Sequence, residues 1–154
     1  FIWMLPKRYL DRPLWDDVLG RAAEAGAAGR QLVFSMHRAM RALALSGSNV
    51  LADHVLVEPD WVKDAACLFH DLPAYLVGIR CPLEVLEERE HARCDRTLGQ
   101  AGLQFDLVHA HAVYDVEVDT SIRTPEECAR VILQRLNDGA PQALSALFSR
   151  LSSG

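Results

Sequence analysis

Lysine is nearly missing from this 154-residue chain: Lys7 and Lys63 are the only two, and every other basic residue except histidine is an arginine. Neither lysine follows a glycine. The sequence therefore holds no Gly-x-x-x-x-Gly-Lys-Ser/Thr loop, in which glycine backbone N–H groups cradle phosphates and the lysine reaches them. It also lacks G-x-G-x-x-G, which weakens a dinucleotide-binding reading. Without G-x-S-x-G, a hydrolase nucleophile elbow has no support. The four cysteines, Cys67, Cys81, Cys94 and Cys128, form no C-x-x-C pair and read as reduced thiols of a cytoplasmic protein. Net charge is -5, which argues against a general nucleic-acid partner, since neutralising phosphates takes a basic face. No uncharged apolar run approaches the roughly 18 residues of a membrane span; Ala39 to Leu45 comes nearest, and Arg41 interrupts it. No basic region followed by an apolar core marks a signal peptide. An initiator methionine is missing too: the chain opens Phe-Ile-Trp-Met-Leu-Pro, as apolar as a buried element, whereas termini are usually polar and frayed. The expectation is further chain upstream of Phe1.

Half of the residues are hydrophobic and 24% are charged, enough for one packed domain over residues 1–154. Apolar spacing predicts a short helix from Pro13 to about Ala27, a break over Gly26 to Arg30, and a helix from Gln31 to Leu45. That helix carries Leu32, Val33, Met36, Met40 and Leu43 on its apolar side. Asn49 to Val57 reads as a strand, Pro59 to Phe69 as a helix, and Ala74 to Arg80 as a second strand with an unbroken apolar run. Pro82 suits the first turn of the following helix. A looser stretch from Leu98 to Ala112 precedes an alternating strand, Tyr114 to Asp119. Thr124-Pro125-Glu126-Glu127 is a capping-box start for a helix ending near Leu136. A last amphipathic helix and tail fill residues 140–154. Helices alternating with strands predict an α/β domain with a mainly parallel sheet flanked by helices. Three strands are few for such a sheet, so the first strands are expected to be missing.

The segment with most chemistry is Glu84 to Arg96. On a continuous helix, Arg89, Arg93 and Arg96 share one face, and three guanidinium groups suit a polyphosphate. The competing reading is a solvated face whose arginines pair with Glu87, Glu88, Glu90 and Asp95. Asp53, late in a predicted strand, suits Mg²⁺ coordination or a salt-bridged carboxylate equally. His54 would point to the opposite face. His109 and His111 form an H-x-H pair, an incomplete zinc site.

Three blocks together resemble the chloramphenicol phosphotransferase-like family. They are Val77-Gly78-Ile79-Arg80-Cys81-Pro82-Leu83-Glu84, Glu88-Arg89-Glu90-His91-Ala92-Arg93-Cys94-Asp95-Arg96, and Tyr114-Asp115-Val116-Glu117-Val118-Asp119-Thr120-Ser121. Gly47 to Leu56 resembles that family's acidic strand, and the similarity runs from Phe1 to about Leu136. The resemblance implies a P-loop nucleoside-kinase-like fold, ATP and Mg²⁺ as cofactors, and transfer of the γ-phosphoryl group to a hydroxyl of a small molecule, for the named member an antibiotic. It implies catalytic roles for Asp53, Arg93 and Arg96. Arg89, Arg93 and Arg96 would belong to a lid over the phosphates, Thr120 and Ser121 would lie near the nucleotide, and Asp53 would sit by the metal. Trp3, Met4 and Pro6, with His54, would line the acceptor pocket. Cys94 stands where the family has glycine. The chain by itself is expected to be inactive for want of the phosphate loop. A non-catalytic, kinase-derived domain that binds a small molecule or assembles with itself is the other reading. No membrane or nucleic-acid partner is expected, and homo-oligomers remain open.

Overall fold

The computed structural model describes residues 27–93 and 98–152. The predicted helix from Pro13 lies almost wholly outside them. In chain order the described residues form α1 (Ala27–Leu45), α2 (Pro59–Phe69), β1 (Val77–Arg80), α3 (Leu83–Ala92), α4 (Gln100–Gln104), β2 (Val116–Asp119), α5 (Pro125–Asn137) and α6 (Ala143–Ser152).

Among these residues the sheet has two strands, β1 and β2, in parallel register from Val77 opposite Val116 to Arg80 opposite Asp119. This overturns the expected α/β architecture with a mainly parallel sheet, and with it the P-loop nucleoside-kinase-like fold: the described chain is mostly helical around one strand pair. Two local causes are visible. The predicted strand Asn49 to Val57 makes no ladder, and its Val57 N–H turns back to the carbonyl of Val55, an i to i+2 bond that breaks strand geometry. The predicted strand from Ala74 starts three residues late, because the Leu76 N–H goes to the Asp115 carboxylate at 2.9 Å.

Helix α1 begins at Ala27, so the predicted break over Gly26 to Arg30 does not form through residues 27–30. Its inward face is also rotated from the expected one. Val33, Phe34 and Met40 pack on the core, Leu43 is exposed, and the centre of the face is His37, fully buried. A histidine at that position hides the stripe from a search for apolar residues. Arg41 then ties α1 to the end of α2, donating to the Leu68 carbonyl and to both Asp71 oxygens at 2.6 and 2.8 Å.

The main core lies where α2 meets α6: Ala65, Ala66 and Phe69 against Leu144 and Leu147. A second cluster joins Leu56 and Trp61 to Val33 and Phe34 of α1, and Val62 and Leu76 belong to both. The capping box of α5 forms as predicted. Glu127 N–H donates to the Thr124 hydroxyl, and the Glu127 carboxylate accepts from Thr124 N–H at 2.8 Å.

Asp115 joins the elements at the start of β2. One carboxylate oxygen accepts from Leu76 N–H just before β1. The other accepts from Gln142 N–H at 2.6 Å and Ala143 N–H at 3.2 Å, where α6 begins. Arg135 of α5 donates its Nε to the Asp115 carbonyl at 3.1 Å, and its remaining N–H groups bond the carbonyls of Gly139 and Ala140. The Asp115 side chain is 1% exposed, so its two oxygens serve donors that would otherwise be buried without partners. Replacing it by alanine strands those N–H groups and removes the carboxylate that lies 3.4 Å from the Arg135 guanidinium. Asp115→Ala is expected to cost about 3–5 kcal/mol and Asp115→Asn about 2 kcal/mol, read as lowered midpoints in urea unfolding.

Candidate functional site

The carboxyl ends of β1 and β2 open into a cavity of about 830 Å³, the position where open parallel sheets place ligands. Its strand-end residues are Ile79, Arg80, Cys81 and Thr120; α3 adds Leu86, Arg89 and Glu90, and Arg93 and Arg123 stand at its rim. Phe105, Val108 and His109 also line it, as does Val55 from the irregular segment before α2. Four guanidinium groups face this space against two carboxylates, Glu90 and Asp106. A second, more open concavity of about 540 Å³ runs along the surface of α5; it lacks the strand ends.

The arginines are not equivalent. Arg89 is drawn back into the fold: it donates to the Thr120 hydroxyl at 3.0 Å and to the Thr120 carbonyl at 2.8 Å. Arg80 pairs with Glu117 at 2.6 Å and lies over the Tyr114 ring. Tyr114 rests on Gly78, where an added Cβ would come within 3.0 Å of the ring. Arg93 is exposed and forms no ion pair with another described residue. Helix α3 ends at Ala92, and Arg93 has an extended backbone, φ -96° and ψ 123°. The expected continuous stripe of Arg89, Arg93 and Arg96 therefore does not form on one helix; Arg96 lies outside the described residues. The helix stops where Glu90 turns back to cap another segment. Its carboxylate accepts from Gly99 N–H at 2.7 Å and Ala101 N–H at 3.0 Å, and these bonds hold it below the usual carboxylate range.

The loop after β2 is also built. Asp119 accepts from the N–H and hydroxyl of Ser121 at 2.8 and 2.6 Å, and the Ser121 hydroxyl bond leads the causes that lower the Asp119 pKa. Thr120 thus lines the cavity, while the Ser121 hydroxyl serves the turn. Trp3, Met4 and Pro6 lie outside the described residues. Asp53 is exposed two positions from Val55. His109 accepts or donates through Nδ1 to the Tyr114 hydroxyl at 2.6 Å, and its H-x-H partner His111 stacks edge-on against the same ring. His109 is committed to Tyr114, whereas both ring nitrogens of His111 are buried with no hydrogen-bond partner among the described residues; among those residues no three His, Cys, Asp or Glu side chains converge to hold a metal ion.

Sequence reading missed a buried relay. Asp64 Oδ2 lies 2.7 Å from His37 Nδ1, and His37 Nε2 lies 2.8 Å from His54 Nε2. The residues come from α1, α2 and the irregular segment, so no spacing announces them. Burial, and then the neighbouring His37, push His54 down from 6.5 to about 4. The unfolded chain takes up that proton more readily than the folded one, so this group's stability is complete above about pH 6.5 and is lost as pH falls toward 4. Between pH 7.5 and 5.0 the loss is expected to be about 2 kcal/mol. Urea midpoints at the two pH values, compared with those of His54→Phe, check it: the wild type should lose that much more than the variant.

A parallel strand pair in a mostly helical chain opens here on an arginine-bearing cavity. The chain belongs to the chloramphenicol phosphotransferase-like family; the profile described as "Chloramphenicol phosphotransferase-like protein" matches residues 3–137. It is similar to two proteins of Mycobacterium tuberculosis, strains CDC 1551 / Oshkosh and ATCC 25618 / H37Rv, named "Putative O-phosphotransferase MT2714" and "Putative O-phosphotransferase Rv2636". Each is 36% identical over 96 residues, covering 62% of this chain and 43% of the relative. The chain thus spans less than half the length of the curated relatives it matches. No solved structure matches it. No described helix is long and apolar enough to cross a membrane.

Proposed function

We propose that the protein takes part in ATP-dependent transfer of a phosphoryl group to a hydroxyl of a small molecule, with the cavity at the strand ends receiving the nucleotide phosphates. The observation that carries this reading is the arginine-bearing cavity itself, above all the exposed Arg93 guanidinium, which forms no ion pair with another described residue. Guanidinium groups bind phosphate oxygens in pairs and stay charged at every working pH. Phosphoryl transfer asks mainly for positioning and for stabilising charge on the transferring group. Arg93 and Arg123, both exposed at the cavity, supply charge, and Arg96 would add to it in the proposed lid. Arg89 holds Thr120 in place and thereby shapes the floor. A volume of about 830 Å³ suits a nucleotide-sized ligand.

In this reading Asp53 would be the residue that holds Mg²⁺. That ion keeps several waters and needs one or two carboxylates beside the phosphates, and Asp53 is an exposed carboxylate near the Val55 wall. When bound, the ion would neutralise charge on the phosphates. The hydroxyl acceptor, chloramphenicol or a related antibiotic in this reading, would lie beside them. Trp3, Met4 and Pro6 would cover it.

A second reading has its own observation. The 154 residues contain no Gly-Lys pair, so in them arginines alone would hold the phosphates. The chain would then bind a nucleotide without turning it over, as a kinase-derived binding domain.

Isothermal titration with ATP and Mg²⁺ tests the shared claim. Wild-type chain should bind, and Arg93→Ala should weaken binding by about tenfold or more with an unchanged thermal midpoint. Absence of binding by the folded wild type would refute both readings. A γ-phosphoryl transfer assay over small hydroxyl compounds separates them: product formation favours the enzyme, and binding without product favours the domain.

A further inference from the structure

The segment from Asn49 to Val57 walls the cavity without belonging to any described ladder. What holds it there is on its other side. Exposure alternates from Asp53 to Leu56: Asp53 and Val55 are exposed, Val55 lining the cavity, while His54 is half-buried and Leu56 is 8% exposed. Leu56 packs on Trp61, and Val33 and Phe34 complete that cluster. Apolar contacts of this kind tolerate sliding. Because side chains along a stretched segment alternate, a slip by one residue would turn Val55 inward and His54 toward the cavity.

We propose that the Asp64–His37–His54 relay is a latch that fixes the register of this segment, making His54 a positioning residue for the cavity wall. The argument is directional. His37 is 0% exposed, and its Nδ1 faces a carboxylate, so that nitrogen carries a proton. Asp64 is oriented in turn by Arg38, whose guanidinium lies 3.3 Å from its second oxygen. Only the Nε2 of His37 is left to seek a partner, and it finds His54 Nε2 at 2.8 Å. Between two facing nitrogens at that distance there is room for one proton, and an imidazole or an amide at position 54 can complete the bond. An aliphatic or phenyl side chain leaves a buried nitrogen unsatisfied. Val55 would leave it so, and Asp53, an acceptor, would face the bare lone pair of Nε2 unless His37 took up a second proton; these costs oppose the slipped registers. The latch concerns the wall alone; only its effect on ligand binding rests on the nucleotide reading above.

The test compares wild type, His54→Phe and His54→Gln. The phenyl variant removes the bond and keeps the bulk, and the glutamine amide restores a donor near the same point. Peptide-resolved hydrogen–deuterium exchange over residues 49–57 should speed up by about tenfold or more in His54→Phe and return to within about threefold of wild type in His54→Gln. Alkylation of Cys81, which lines the same cavity, should follow the same order, and exchange in α5 should not move. Equal behaviour of all three forms, or equal loss in both variants, would overturn the latch. Should His54→Phe not fold, the wild type decides by NMR: a protected imidazole proton with nitrogen–nitrogen coupling between His37 Nε2 and His54 Nε2 is expected, and two freely exchanging ring protons would overturn the proposal. The affinity for ATP with Mg²⁺ should fall in His54→Phe and recover in His54→Gln. If exchange and alkylation respond while no form binds ATP, the latch stands and the nucleotide reading falls.

Discussion

The Asp115 carboxylate organises this structure. A two-stranded parallel sheet is too small to stabilise itself, and β1 and β2 contribute four residues each. Their relative position is set before pairing begins, by one buried side chain that takes N–H groups from the approach to β1 and from the start of α6, and whose backbone carbonyl receives Arg135 of α5. A buried acceptor with several donors tolerates little displacement, since each lost bond strands a polar group. Because this junction closes the amino ends of the strands, their carboxyl ends are the ones left open. The cavity and its arginines follow from that polarity.

The same logic recurs on a smaller scale around the cavity. Glu90 holds the chain after α3 through two backbone N–H groups, Arg89 holds Thr120, Asp119 holds Ser121, and the His37 relay holds His54. Each wall is positioned by a polar contact behind it. Arg93 forms no ion pair with another described residue, and in the proposed reading it is the group offered to a ligand.

The sequence disclosed those features that local chemistry decides. The capping box of α5 needs only Thr124 and Glu127 three positions apart in one turn, and it forms as read. Helix α2 begins at Pro59 and ends at Phe69 as its pattern says. The three family-like blocks lie on β1, on α3 with the chain after it, and on β2 with its loop, and the family is borne out. The parallel sheet of several strands was misjudged, because the apolar segment from Asn49 looks like a strand until it is asked for a ladder partner. The arginine stripe failed for a related reason: spacing assumes that the helix continues, and α3 ends one residue before Arg93. The relay was invisible because histidine and aspartate from three distant stretches have no period. Arg80 could have been found, since it closes the second predicted strand at the end where sheets bind ligands.

The central claim is that the cavity at the strand ends receives phosphates on its arginines. The most direct measurement is a ¹⁵N NMR titration of the arginine side-chain N–H signals with ATP and Mg²⁺, accompanied by ³¹P spectra of the nucleotide. The account predicts saturable shifts at Arg93 and Arg123, smaller ones at Arg80, little change at Arg135, and perturbed phosphate resonances. Shifts confined to the surface of α5 away from the cavity, or none at saturating nucleotide, would contradict it.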